Sequence, residues 1–215
     1  RDQGATVFMT LLAAFQVLLW RYTGQADFVV GSVVANRERR ETEGVIGLFV
    51  NNLALRADVS GNPTFHELLG RVRESNLRAY SHQDLPLDLL IDRLRLRTSA
   101  DAAPFSQIRF VLESHAAEKT DFAGLSLGPF PVEGPPAARS DLALYMEQVG
   151  SDLMGTFIYN ADLLSETTVL RLAARFQTLL EEVARKPDRR LGDIALERAS
   201  EQEVPEGFVE ELEEV

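Results

Sequence analysis

The chain contains no cysteine, and this absence excludes both a disulfide framework and a thiolate zinc site. A reducing compartment fits such a chain, so we expect a cytoplasmic protein. Histidine is also scarce. The three histidines, His66, His82 and His115, show neither HxxxH nor HExxH spacing and have no clustered carboxylates. The sequence therefore predicts no metal site.

Basic residues are fewer than acidic ones: the chain has 22 lysines and arginines and 33 aspartates and glutamates. The net charge of −11 argues against nucleic acid as a partner, since nothing would drive counterion release from phosphates. Residues 197–215 hold eight glutamates and one arginine, a composition typical of a solvated extension. We therefore expect one domain at residues 1–196, followed by an acidic linker or docking tail at residues 197–215.

The sequence has no apolar run long enough to cross a membrane. Its most apolar window, residues 5–20, is ATVFMTLLAAFQVLLW, and Thr6, Thr10 and Gln16 interrupt it. A membrane-spanning helix needs roughly 20 apolar residues. The window also lacks the basic segment and the cleavage site of a signal peptide. It predicts a buried core helix, and we expect no membrane partner.

What the chain does contain is an alternation of strand and helix patterns. Strands are predicted at residues 27–36, 45–59, 105–113, 125–127, 142–149 and 153–160. The first strand is apolar enough to be buried on both faces, and Gly31 in its middle indicates a close backbone approach. Three helices are predicted. The first covers residues 6–22, the second begins at a capping box formed by Thr64 and Glu67, and the third runs from Ser165 to Lys186. The pattern indicates an α/β fold, a mixed β-sheet flanked by helices.

Residues 79–94, AYSHQDLPLDLLIDRL, place a histidine two residues before an aspartate and are interrupted by a proline. His82 and Asp84 suggest general-base chemistry, but the sequence identifies no hydrogen-bonding target for a base. Pro86 imposes an extended conformation on Leu85 and suits the first position of a helix, whose N-terminus favours negative charge. We interpret His82, Asp84 and Pro86 as a structural motif at a joint between two helices.

Two consecutive amides occur inside the apolar stretch FVNNL, residues 49–53. Strand alternation sends Asn51 and Asn52 to opposite faces, so at least one is expected to point inward and to need partners. Two interpretations remain open: a buried amide that ties strands together, or the wall of a tunnel that hydrogen-bonds a substrate. The sequence has neither a phosphate-binding glycine loop nor a GxSxG elbow, so a self-contained hydrolase, kinase or dehydrogenase is not expected.

Taken in order, several segments resemble the C-terminal lobe of the condensation domain of nonribosomal peptide synthetases. VIGLFVNNLALR is similar to the family's IGxFVNTxxLR motif, with Asn52 where threonine is common. HQDLPLDLL resembles HQDxPFExL, with Leu87 and Asp88 in place of phenylalanine and glutamate. TGQADFVVGSVVANRER, APFSQIRFVL and LGDIAL resemble further segments, and the likeness extends over about residues 4–196.

The resemblance implies the fold of chloramphenicol acetyltransferase and related CoA-dependent acyltransferases, with two similar lobes and an active site in the tunnel between them. It implies a reaction in which a carrier-bound donor acyl or peptidyl thioester and an acceptor aminoacyl thioester form an amide bond. The family's catalytic HHxxxDG motif belongs to the N-terminal lobe, and no such string occurs here. The resemblance therefore implies no catalytic residue in this chain, which we expect to be inactive alone.

The resemblance also gives expected roles to three residues. Asn51 and Ser32 are expected to line the substrate tunnel. Arg37 is expected to contact the phosphate of a phosphopantetheine arm, which a partner carrier domain would bring, so no directly bound cofactor is expected. The expected partners are the N-terminal lobe, peptidyl carrier domains and an adjacent adenylation domain or docking partner.

A second interpretation keeps this fold without the chemistry. The departures from the family motifs at Asn52, Leu87 and Ser106 suggest a catalytically inactive, condensation-like binding module that recruits a tailoring enzyme or a carrier domain. In the tail, an apolar stripe on an acidic background is consistent with a linker helix or a docking segment, and it comprises Phe208, Val209, Leu212 and Val215.

Overall fold

The structure is a computed structural model that describes residues 4–37, 39–95, 105, 107–113 and 138–196. The strands of the sheet are β1 Asp27–Val34, β2 Asn51–Asp58, β3 Ile108–Glu113, β4 Leu142–Val149 and β5 Asp152–Tyr159. The helices are α1 Val7–Thr23, α2 Arg40–Glu43, α3 Phe65–Tyr80, α4 Leu87–Leu94 and α5 Glu166–Arg185, and a 3₁₀ turn follows at Leu191–Asp193. The predicted α/β architecture is confirmed.

The five strands form one mixed sheet in the order β2-β1-β3-β4-β5. The two outer pairs are antiparallel and the two inner pairs are parallel. The predicted strand at residues 125–127, the proline-rich stretch at 128–136 and the tail at 197–215 lie outside the described residues. The prediction of a strand at 45–59 was wrong over its first six residues, because pairing with β1 stops where Val34 meets Asn51.

The two faces of this sheet have different surroundings. One face, which we call the helix-covered face, packs on the helices and carries the apolar members of each strand, such as Val30, Phe110 and Leu144. The other, which we call the opposite face, is mixed: Val111 and Ala143 are buried there, whereas Asn52 and Arg109 are exposed or partly exposed. The prediction that the first strand is buried on both faces was therefore wrong, since full burial is confined to residues 30–32.

Helix α1 is the centre of the packed core. Its N-cap is Thr6, whose hydroxyl accepts a hydrogen bond from the backbone N–H of Met9 at 3.2 Å, and it ends at Gly24, whose φ of 74° is left-handed. The helix contacts β3, α3 and α5. Phe15 is fully buried, and its ring centroid lies 5.8 Å from that of Phe110 and 6.4 Å from that of Phe176. The predicted buried helix is confirmed.

Two further helices begin where the sequence predicts, and α5 also ends there. Thr64 and Glu67 form the capping box of α3, and the side chain of Ser165 accepts the N–H of Thr168 at the start of α5. Arg185 lies in the last turn of α5, where positive charge complements the helix dipole. None of the described helices combines the length and the apolarity that a membrane crossing requires.

The segment after α5 packs on α1 and is hydrogen-bonded to it. The Nη1 atom of Arg21 donates to the carbonyl oxygens of Leu191 at 3.0 Å and Ile194 at 2.8 Å. The backbone N–H of Gly192 donates to Oδ1 of Asn62 at 2.6 Å. Leu191 and Ile194 are buried in the same core cluster as α1. We call residues 190–196 the closing segment, because they complete the burial of the first helix.

Candidate functional site

The segment that contains His82 joins α3 to α4. Helix α3 ends at Tyr80, and Pro86, with φ −60° and ψ 135°, is the N-cap of α4. The N–H of His82 donates to the carbonyl of Ala79, and the carbonyl of His82 accepts from the N–H of Leu85. The side chains of His82 and Asp84 are exposed. Pro86 thus precedes the first helical residue and does not occupy it as predicted, but the segment is a helix–helix joint.

Asn51 connects β2 to this joint. Its Nδ2 atom donates to the carbonyl oxygens of Gln83 at 2.6 Å and Leu85 at 2.8 Å. Its Oδ1 atom accepts from the backbone N–H of Asn52 at 2.9 Å. Both amide hydrogens and the amide oxygen of Asn51 therefore have partners inside the chain. This amide ties a strand to a helix–helix joint and not one strand to another, and its expected place in a tunnel wall stays a prediction.

Asn52 lies on the opposite face of the sheet, as the alternation of a strand requires. Its Oδ1 atom accepts a hydrogen bond from Nη2 of Arg109 at 3.3 Å.

Gly31 pairs with Arg109 in the β1–β3 register. A Cβ on Gly31 would meet the carbonyl oxygen of Ile108 at 3.4 Å and that of Phe105 at a still shorter distance. The close backbone approach predicted at Gly31 is confirmed.

Ser32 is 2% exposed and belongs to the helix-covered face. Its hydroxyl donates to the carbonyl oxygen of Phe110 at 2.8 Å, across the β1–β3 pair. The structure thus gives the hydroxyl a partner inside the sheet and buries it under the helices. This hydrogen bond supports the pairing of β1 with β3, and the tunnel-lining role predicted from the resemblance stays a prediction.

Arg37 organises the loop that leads into β2. Its Nη1 atom donates to the carbonyl oxygens of Thr42 and Val45, and its Nη2 atom donates to that of Gly47 at 3.2 Å. The guanidinium also lies over the ring of Phe49, 4.2 Å from its centroid. Three of the five guanidinium N–H donors of Arg37 are thus used within the chain, and the predicted phosphopantetheine contact by the other two stays a prediction.

Sequence reasoning missed Phe49 and Arg109 as members of this region. Phe49 stands in the same FVNNL stretch as Asn51, so its position was visible although its contact with Arg37 was not. Arg109 lies within the APFSQIRFVL segment, and only the sheet order brings it beside Asn52. Both contacts join residues from different elements, which local sequence patterns do not reveal.

Charged side chains pair on the opposite face, at the end of the β1–β2 ladder away from Asn51. Arg56 donates two hydrogen bonds to the carboxylate of Asp27, at 2.8 and 2.7 Å, and this bonding lowers the pKa of Asp27. Hydrogen bonds from the side chain and backbone of Ser60 lower the pKa of Asp58. Within the described ranges, no three of the metal-binding residue types gather as they would around a metal ion.

Comparison with known proteins agrees with the resemblance. The family model of the condensation domain matches residues 1–204. The chain is 45% identical over 204 residues to a linear gramicidin synthase of Brevibacillus parabrevis, and the match covers 94% of this chain and 3% of that protein. It is 38% identical to chondramide synthase cmdD of Chondromyces crocatus, over 90% of this chain and 5% of that protein. The chain thus spans only a small part of these curated relatives.

Solved structures support the same assignment. The X-domain in its complex with OxyB from teicoplanin biosynthesis is 30% identical, with a TM-score of 0.82 over 92% of this chain and 44% of that chain. The condensation domain from the monacolin K polyketide synthase MokA is 25% identical, with a TM-score of 0.75 over 89% of this chain and 44% of that chain. The nearly complete family match, together with these similarities in sequence and fold, shows that the chain belongs to the condensation domain family.

Proposed function

We propose that this chain is the C-terminal lobe of a nonribosomal peptide synthetase condensation domain and contributes to amide-bond formation. The observation that carries the proposal is the 45% identity to a linear gramicidin synthase over 94% of the chain. The lobe assignment is supported by length, because 92% of this chain matches only 44% of a solved X-domain chain. The HHxxxDG motif would lie in the other lobe.

In the proposed reaction, the amine nitrogen of a carrier-bound acceptor attacks the carbonyl carbon of a carrier-bound donor thioester. A C–N bond forms, the C–S bond breaks, and the donor's phosphopantetheine thiol leaves as the amine gives up a proton. Both phosphopantetheine arms would come from carrier domains. This chain would supply one wall of the tunnel that holds the arms, so its contribution to the rate would be proximity and orientation.

The proposed partners follow from that reaction. They are the N-terminal lobe, peptidyl carrier domains and an adjacent adenylation domain or docking partner, in a cytoplasmic synthetase. The fold-level similarity to a four-domain nonribosomal peptide synthetase bound to AMP and glycine, at a TM-score of 0.83 and 22% identity, is compatible with such a setting.

We expect Asn51 to position the part of the tunnel wall that this chain contributes. Because its side chain holds the backbone of the α3–α4 joint at two carbonyls, its loss would displace the joint relative to β2. A displacement of about 1 Å near a reaction centre costs on the order of a hundred-fold in rate. Asn51 would therefore act as a positioning residue without touching the reacting atoms.

The test is single-turnover amide formation by the intact parent synthetase. Asn51→Ala should slow amide formation on the order of ten- to a hundred-fold. Asn52→Ala is the matched control, because this neighbouring amide contacts Arg109 and not the joint, and it should leave the rate nearly unchanged. An unchanged rate in Asn51→Ala would remove this residue from the mechanism, and no amide formation by the wild-type parent would refute the proposed function.

A second candidate function, a binding module without catalysis, is supported by the similarity to an X-domain. The X-domain at 30% identity is a protein whose solved structure is a complex with OxyB. The chain would then belong to a catalytically inactive module that recruits a tailoring enzyme. Stable capture of an oxygenase by the parent, together with absent amide formation, would favour this candidate over the first.

A further inference from the structure

Arg109 lies in the middle of the sheet, on the opposite face, and its neighbours across the strands are small. The pairing registers place Gly31 of β1 on one side of it and Ala143 of β4 on the other. A Cβ on Gly31 would lie 3.6 Å from Cγ of Arg109, so the stem of the arginine passes close over this glycine. Ala54 follows next to Gly31 on β2. These small residues leave space around the Arg109 side chain.

The surroundings of the Arg109 guanidinium are apolar and compensate little of its charge. Ala143 is 1% exposed, and Val111, two residues further along β3, is 7% exposed. None of the ion pairs between residues that the structure describes includes Arg109. A positive charge in an apolar setting attracts an anion most strongly when water is excluded, and burying it without a counter-charge is costly. This setting favours an anionic ligand.

Most hydrogen-bond donors of Arg109 are still available among the described contacts. Its Nη2 atom donates to Oδ1 of Asn52 at 3.3 Å, which is longer than an ordinary N–H···O bond and has a neutral acceptor. We therefore assign no part of the ligand binding to Asn52. Arg56 on the same face differs, because it already donates two hydrogen bonds to the carboxylate of Asp27. Toward the described residues, Arg109 uses one of the five donors of a guanidinium.

We propose that Arg109 is a specificity-determining residue that binds a carboxylate on a substrate of the amide-forming reaction. This inference rests on the function proposed above. Helices α1, α3 and α5 pack on the helix-covered face, so a substrate that reaches the surface of this sheet approaches the opposite face. A planar guanidinium matches the two oxygens of a carboxylate, which a lysine does not.

The chemistry of the reaction limits where this carboxylate can come from. In each carrier-bound aminoacyl group, the α-carboxyl carbon is part of the thioester, so it carries no free carboxylate. The carboxylate must therefore belong to a side chain. The substrate class is an aminoacyl group with an acidic side chain, aspartyl or glutamyl, on the donor or on the acceptor carrier.

The test compares glutamyl with glutaminyl substrates, which have nearly the same shape and differ in charge. A phosphopantetheinyl transferase loads either group from its CoA thioester onto the acceptor carrier of the intact parent synthetase, and in a second series onto the donor carrier. Single-turnover amide formation is then measured. In one of the two series, the glutamyl substrate should react at least about ten-fold faster, as expected for a charged hydrogen-bonded pair. Equal rates in both series would overturn the proposal.

Substitution of Arg109 connects this preference to the side chain. Arg109→Gln should bring the ratio of glutamyl to glutaminyl rates close to one, mainly by slowing the glutamyl substrate. Arg109→Lys keeps the charge without the forked donor and should retain part of the ratio. Arg56→Gln is the matched control on the same face and should leave the ratio unchanged. If Arg109→Gln slowed both substrates equally, or slowed neither, the ratio would survive and the proposal would be overturned.

A second readout does not depend on amide formation. Phenylglyoxal modifies unpaired guanidinium groups, and mass spectrometry follows its reaction with Arg109 in the parent loaded with either substrate. Glutamyl loading should slow this modification several-fold relative to glutaminyl loading, while modification of Arg56 should be the same in both. Equal modification of Arg109 would overturn the inference. Slower modification of Arg109 without amide formation would count against the proposed function alone.

Discussion

The helix-covered face and the opposite face of the sheet share the same five strands but differ in what their side chains do. On the helix-covered face, residues such as Val30, Phe110 and Leu144 join the core around α1. On the opposite face, Arg56 pairs with Asp27 and Arg109 reaches Asn52. The comparison indicates that the apolar packing that stabilises the fold lies mainly on the helix-covered face. The opposite face carries polar groups that retain access to solvent.

The largest effect should come from the helix-covered face, at Phe15. Phe15→Ala removes a fully buried ring that contacts three other phenylalanines, so the free energy of unfolding should fall by about 3–5 kcal/mol. Val33→Ala on the opposite face is the control and should cost about 1 kcal/mol. Urea unfolding followed by the fluorescence of Trp20, the single tryptophan, measures both. Equal losses would break the comparison between the two faces.

The next effect concerns the closing segment. Arg21→Ala removes a donor shared by the carbonyls of Leu191 and Ile194, so the free energy of unfolding should fall by about 2 kcal/mol. Hydrogen exchange of residues 190–196 should also become faster. Arg21→Lys retains the charge and should recover only part of the loss. If exchange of the closing segment did not change, burial of Leu191 and Ile194 alone would hold it.

A smaller effect distinguishes the two adjacent amides. Asn51→Ala leaves the carbonyls of Gln83 and Leu85 without their donor and should lower the free energy of unfolding by about 1–2 kcal/mol. Asn52→Ala on the opposite face should change it by about 0.5 kcal/mol or less. Thermal unfolding of both variants provides the measurement. A larger loss in Asn52→Ala would reverse the assignment of the two side chains.

The smallest effect is a pH dependence at the start of α3. The backbone N–H of Thr64, together with the nearby Arg190, holds the pKa of Glu67 below its ordinary value. A lowered pKa in the folded state contributes stability above the ordinary pKa, and this contribution is lost as the pH falls through the folded pKa. Glu67→Gln should therefore be less stable than the wild type near neutral pH and should lose less stability between about pH 5 and pH 3. Parallel acid-unfolding curves for the two proteins would contradict this expectation.

Local patterns predicted the elements whose ends are set by their own residues. Thr6 and Gly24 bound α1, Ser165 caps α5, and the predicted strand at residues 142–149 coincides with β4. In each case the signal is short: a capping side chain, a left-handed glycine or an alternating run. These parts of the fold can be derived without knowing what packs against them.

The sequence did not reveal the features that depend on distant contacts. Residues 45–50 have the composition of a strand, but Arg37 binds the carbonyls of Val45 and Gly47, and pairing with β1 begins only at Asn51. Alternation predicted that Asn51 and Asn52 face opposite ways, but not that Asn51 would reach the α3–α4 joint. The roles of Asn51 and Arg37 toward substrates and carriers stay predictions.

The closing segment also sets an order of events during synthesis. Arg21 and Leu191 are 170 positions apart, so the contact that seals α1 forms only after nearly the whole described sequence has been made. Contacts of such long separation are slow to form, and apolar surface that waits for them is prone to aggregation. Until residue 194 has been synthesised, the most apolar of the described helices lacks the last part of its cover, and we expect the nascent chain to be most prone to aggregation in that interval.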